Sequence, residues 1–315
     1  MKKWYGYLLL LLTALIWGMA FSAQSAGMDH MGPFTFQSVR CFLGAFALLP
    51  VVLIRAHLRA KKSVQTAVSY ENNTRPANTS KKKSRAADLC KKISGGLVCG
   101  TVLCVACCLQ QIGIQYTSVG KAGFLTALYV LLVPFMGLIV FRKSVPRKIY
   151  LCVAAATLGL YLLNGSDGTG INIGDIFCIL SAFGFAMHIL VVDHFVQDID
   201  GLELSCMQFF VSGIIAGIPM LLVEGPALAD LIAGGVPLLY AGIVSCGVGY
   251  TLQIVGQKYV EPVTATLIMS LESVFALLGG ALLLAQIPTA MELAGCSLIL
   301  AAVLYAQIPS RRAAA

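Results

Sequence analysis

Three ionisable side chains interrupt stretches that are otherwise apolar: Arg40, His188 and Glu272. At mid-depth in a bilayer such a group costs about 2.5–3.5 kcal/mol on insertion scales, so its presence marks a ligand contact, a proton carrier or a charge partner. Arginine can grip a carboxylate through parallel N–H donors, histidine can exchange a proton near neutral pH, and glutamate can hold a cation or titrate. Each also has a structural reading: Arg40 snorkelling to headgroups, His188 satisfied between helices, Glu272 hydrogen-bonded to a neighbouring helix. Trp17 and Tyr129 supply aromatic surface for a substrate wall or for packing, and the amides of Gln110 and Gln253 suit gates or interhelical hydrogen bonds. No HExxH, GxSxG or helically spaced aspartate pair occurs. No catalytic residue, metal ligand set or cofactor is therefore expected.

The elements that position these groups are set by composition. Hydrophobic residues make up 58% of the 315, and charged residues only 11%, where soluble domains carry about 25% charged. Crossing a bilayer takes about 20 apolar residues, and ten windows of that kind fit the chain. They run Tyr5 to Ala26, Pro33 to Ile54, Ile93 to Ile114, Ala122 to Phe141, Ile149 to Asn164, Asp175 to Val192, Leu204 to Val223, Leu231 to Gln253, Val263 to Ala285 and Met291 to Gln307. The expected fold is an all-α integral membrane protein of ten transmembrane helices. Arg40 then lies roughly 10 Å from the outer end of its helix, His188 roughly 20 Å from the outer end of the sixth, and Glu272 near the midplane of the ninth.

Basic residues collect on the cytoplasmic side of short loops. With a cytoplasmic amino terminus, 20 of the 22 fall inside, leaving Lys121 at an outer loop and Arg40 within a span. The net charge of +8 is thus a topology signal and gives no reason to expect nucleic acid. Both termini are expected in the cytoplasm, and the first apolar run is read as a retained helix rather than a cleaved leader. The stretch Arg55 to Lys92, rich in Lys, Ser, Thr and Asn, is expected to be a disordered cytoplasmic loop, either a solvated linker or a contact for anionic lipid. Its sequons at Asn72 and Asn78 then lie on the wrong side for glycosylation. Cys104, Cys107 and Cys108 form a CxxCC cluster without a second pair at zinc spacing, so these thiols read as small apolar side chains.

The chain resembles itself. Leu109, Gln110, Gly113, Tyr116 and Ala122 recur 143 positions on as Leu252, Gln253, Gly256, Tyr259 and Ala265. Gly32, Gly44 and Pro50 recur 169 positions on as Gly201, Gly213 and Pro219. Residues 1–165 and 172–308 are expected to be two five-helix repeats, and an odd helix count inverts the second relative to the first. Inverted repeats suit a carrier with two access states. Two GxxxG pairs, Gly96 with Gly100 and Gly213 with Gly217, provide faces for close helix approach.

Trp17-Gly18 in the first helix, Arg40 in the second, the run from Ala122 to Pro134 and the stretch Ser270-Leu-Glu-Ser-Val-Phe275 together resemble the drug/metabolite transporter superfamily, EamA-type members best. Where that family has Glu-Pro in the ninth helix, this chain has Glu272-Ser273. The resemblance implies a secondary transporter of amino acids or similar metabolites, often an exporter, with a cavity between the two halves. Small-molecule substrate and lipid bilayer are the expected partners. Without a GxxxxGK[ST] loop, energy would come from a proton, other-ion or substrate gradient. Trp17, Arg40, Tyr129, His188 and Glu272 are the candidate binding residues, and Gln110 and Gln253 the candidate gates. The alternatives are a membrane-embedded enzyme and a non-transporting scaffold.

Overall fold

The structure, a computed structural model, describes residues 2–71, 80–117, 119–142, 146–164, 172–284 and 289–308. All regular structure among them is helical. The first half contains α1 (Lys2–Met28), α2 (Pro33–Glu71), α3 (Ser80–Ile114), α4 (Val119–Ala127), α5 (Tyr129–Phe141) and α6 (Arg147–Asn164). The second contains α7 (Ile173–Phe195), α8 (Gly201–Pro219), α9 (Leu228–Ala233), α10 (Gly235–Leu239), α11 (Thr251–Gln257), α12 (Pro262–Met269), α13 (Leu271–Leu284) and α14 (Ala290–Gln307). Met220–Glu224 continues α8 as a π-helical turn, and the π-helical Tyr240–Tyr250 joins α10 to α11.

Where they are described, the ten apolar windows are helical except for single-residue breaks at Leu128, Gly234 and Ser270, and among the described residues seven helices have the length and composition to cross a membrane. Pro262–Leu278 and Leu293–Ala306 are shorter apolar helices, and the fifth window lies on Arg147–Asn164. Ile139 is 77% exposed and Leu222 80%, whereas Arg40 and Glu272 are 3% and 2% exposed. Apolar side chains outside and polar ones inside suit a lipid surround, in which helices satisfy their own backbone groups.

The main helix contacts are alike when the two halves are exchanged, taking the first apolar window with the sixth, the second with the seventh, and so on. Thus α1 lies on α13 and α7 on α4 and α5; α2 lies on the Tyr240–Tyr250 segment and α3 on α8. The pairs α2 with α8 and α6 with α14 map onto themselves. Where α3 meets α8, a Cβ on Gly100 would come within 2.7 Å of the Gln208 carbonyl oxygen. That contact explains the first GxxxG pair: only glycine lets the backbones approach so closely.

The expected disordered loop is corrected by the structure. α2 continues as helix to Glu71 and α3 begins at Ser80; residues 72–79, with both sequon asparagines, lie outside the described residues. The cost of helix nucleation has already been met inside the bundle, and the Ala, Leu, Lys and Arg of residues 55–62 propagate a helix well. The roots of these extensions are also held by charge. Arg59 bridges Asp200 at 2.6 Å and Glu203 at 3.0 Å, Lys92 bridges Glu203 at 2.5 Å, and Lys91 bridges Asp198 at 2.6 Å. Burial raises the Asp200 carboxyl, but the Arg59 guanidinium and the N–H groups of Glu203 and Leu202 outweigh it and hold it below the ordinary value. At the other end of the α2–α8 pair, Glu224 accepts hydrogen bonds from the Phe34 and Thr35 N–H groups, capping the amino terminus of α2.

Candidate functional site

Two helix breaks meet at the centre of the molecule. α4 gives way to α5 at Leu128, and α12 to α13 at Ser270, within one residue of corresponding positions in the two repeats. At the second break no proline is needed. Thr266 and Ser270 turn their hydroxyls onto the Val263 and Leu267 carbonyls, an alternative that competes with helix continuation. Tyr129 opens α5 and Glu272 lies in the first turn of α13, and the Tyr129 hydroxyl donates to Glu272 Oε1 at 3.0 Å. These two residues are themselves repeat counterparts, 143 positions apart, as are Cys107 and Tyr250, whose Sγ and hydroxyl lie 3.5 Å apart.

A cavity borders this pair. Trp17, Ala20, Phe21 and Gln24 line it as a stripe along α1; Arg40, Gln110, Thr126, Phe185, Ser245 and Tyr250 complete it beside Tyr129 and Glu272. α1 can sit this close to α13 because of Gly18, where a Cβ would come within 2.6 Å of the Glu272 carbonyl oxygen. Arg40 is aimed by two glutamines, its Nε donating to Gln37 Oε1 at 2.7 Å and its NH1 to Gln24 Oε1 at 2.9 Å. Arg40 and Glu272 are not ion-paired with each other. A cationic and an acidic side chain thus border one aromatic-walled space, a largely apolar pocket with a few placed polar groups.

Of the sequence-derived candidates, Trp17, Arg40, Tyr129, Glu272 and Gln110 line this cavity. His188 and Gln253 do not. His188 is fully buried, with its Nε2 3.0 Å from Gln208 Oε1 and its ring 6.1 Å from that of Tyr250. Depth along α7 is legible in sequence, but the direction in which the side chain points is not. Sequence reasoning missed Ala20, Phe21, Gln24, Thr126, Phe185, Ser245 and Tyr250. The helical spacing of 17, 20, 21 and 24 would have found the α1 stripe.

Buried polar groups around a cavity, within helices that turn apolar side chains outward, are the features of a multi-pass membrane protein. The profile of the EamA-like transporter family matches residues 4–165 and again 172–306, and the chain belongs to that family of membrane transporters. A protein of Archaeoglobus fulgidus described as an uncharacterized transporter is 27% identical over 307 residues, covering 98% of this chain and 87% of its own length. One crystal structure, 15% identical, matches 98% of this chain and 99% of its own with a TM-score of 0.71, a likeness of fold alone.

Proposed function

We propose that this transporter is a secondary carrier of amino-acid-like solutes, working by alternating access across the cell membrane in the export direction, with both termini cytoplasmic. The observation that carries the reading is the cavity bordered by Arg40 and Glu272, charged groups not paired with each other, between walls of Trp17, Phe21, Phe185 and Tyr250. Arg40 takes the solute carboxylate and Glu272 its ammonium group, while the aromatic rings cover the apolar part. The family profile matching once in each half, and packing that survives exchange of the halves, support an inverted repeat of five plus five spans. Gln110 gates the outer approach and Gln253 the inner one. Glu272, held by the Tyr129 hydroxyl, is the group through which a proton gradient would drive transport.

The test is counterflow in proteoliposomes with a panel of radiolabelled amino acids, paired with accumulation in cells lacking and overexpressing the protein. Wild type is expected to exchange at least one of them, and Arg40→Lys to lose at least about tenfold, since lysine cannot reproduce the guanidinium fork. Equal flux in wild type, Arg40→Lys and empty vesicles for every amino acid would reject the substrate class.

A further inference from the structure

The cavity reaches from mid-depth towards only one end of the bundle. Gln24 lies four residues from the last residue of α1, Gln110 four from the last of α3, and Arg40 seven from the first of α2, all at the end remote from the Arg59–Asp200 clamp. Towards the clamped end the cavity stops at Tyr250. Polar side chains continue beyond it through a fully buried region. Tyr250, Gln253 and Gln257 follow at spacings of three and four, and the Gln257 Nε2 donates to the Ile189 carbonyl at 3.1 Å, beside His188. Gln253 Nε2 donates to Gln257 Oε1 at 3.1 Å, and His188 is held by Gln208. None of His188, Gln208, Gln253 and Gln257 exceeds 1% exposure.

Within this group of side chains, three atoms have no hydrogen-bond partner: His188 Nδ1, Gln208 Nε2 and Gln253 Oε1. A buried polar atom without a partner is costly, and an apolar side chain of similar volume would avoid that cost. Orphans on three adjoining helices between the cavity and the clamped end of the bundle therefore point to a second state in which they are partnered. We propose that Tyr250, His188 with Gln208, Gln253 and Gln257 form the cytoplasmic half of the translocation path, shut in this structure, whose unpartnered amide and imidazole atoms serve as hydrogen-bonding stations for a small polar solute. The inference rests on the transporter reading above. Amides and an imidazole can hand such a solute onward without the tight grip of a fixed charge, which suits a passage better than a binding site. His188 can serve as donor or acceptor at Nδ1, according to its tautomer.

The test places a cysteine at position 257 (Gln257→Cys) and, in a separate protein, at position 245 in the cavity (Ser245→Cys). Inside-out vesicles are treated with a charged, membrane-impermeant methanethiosulfonate, and modification is read residue by residue by mass spectrometry so that the native thiols can stay. Both positions are expected to react. Reaction at 245 without reaction at 257 would leave the transporter reading standing and overturn this path. Reaction at neither would overturn both. A double variant, His188→Phe with Gln208→Met, removes two orphans together. It should match or exceed the wild-type melting temperature by up to a few degrees while slowing reaction at 245 from this side by about tenfold or more. A lower melting temperature with unchanged reaction at 245 would show these groups to be interhelical glue and end the proposal.

Discussion

Tyr129 and Glu272 border the cavity, joined by a hydrogen bond of 3.0 Å, and the proposed coupling assigns the transported proton to this carboxylate. Glu272→Gln keeps shape and hydrogen-bonding capacity but cannot titrate. The variant is expected to fold and bind solute yet lose the pH response of counterflow; an unaltered pH profile would remove Glu272 from coupling. Gly18 is the second position at which one residue decides the geometry. With 2.6 Å between a would-be Cβ and the Glu272 carbonyl oxygen, Gly18→Ala should cost about 1–3 kcal/mol through forced separation of α1 and α13, read as a lower melting temperature together with reduced flux. The sequence showed Arg40 and Glu272 because charge in an apolar run is conspicuous. It could not show Gln24, which looks like an ordinary polar residue near a helix end until Arg40 NH1 is seen donating to it.

The extended helices α2 and α3 meet the loop before α8 and its first turn in ion pairs that link the first half to the second. Arg59 is about half exposed, so its pairs are worth under about 1 kcal/mol, and Arg59→Ala should lower the melting temperature only slightly, less so in high salt. The Asp200 carboxyl is depressed in the folded protein, so its contribution is complete above the ordinary value of 3.8 and is lost as pH falls through the lower folded value. Wild type and Arg59→Ala should therefore differ by a constant amount around neutrality and converge in strong acid, which thermal melts at stepped pH will show. Arg59 and Lys92 both reach Glu203, so the two helices stand side by side at that level. Replacing residues 63–86 by a short flexible connector should leave folding and flux largely intact; loss of both would show that the distal helices carry structure. Composition misread this region because a Lys-rich, Ser-rich stretch resembles a linker when scored alone, whereas helix already formed on either side of it extends at little cost.

Across the whole molecule, the positions of Lys and Arg predict which end faces the cytoplasm. A cysteine placed at Ser80 should resist an impermeant thiol reagent in intact cells and react once the membrane is opened. Reaction in intact cells would overturn both the topology and the inverted arrangement. The recurrence of residues at 143 and 169 positions was legible in the sequence, but not where the two halves touch. That comes from packing: Tyr129 meets Glu272, and Cys107 meets Tyr250, each residue in contact with its own counterpart. In an assembly of two identical unfused chains, a point of this kind would hold two copies of one side chain. Two glutamates there would share a buried spot with repelling charges, and two tyrosines would leave no acid at all. Setting a carboxylate against a phenol requires the two copies to be encoded separately, so that one gene segment can acquire the acid while the other acquires its donor. On the proposed inverted repeat, the Tyr129–Glu272 contact is thus a place where one chain carrying both halves holds a chemistry that two identical chains could not.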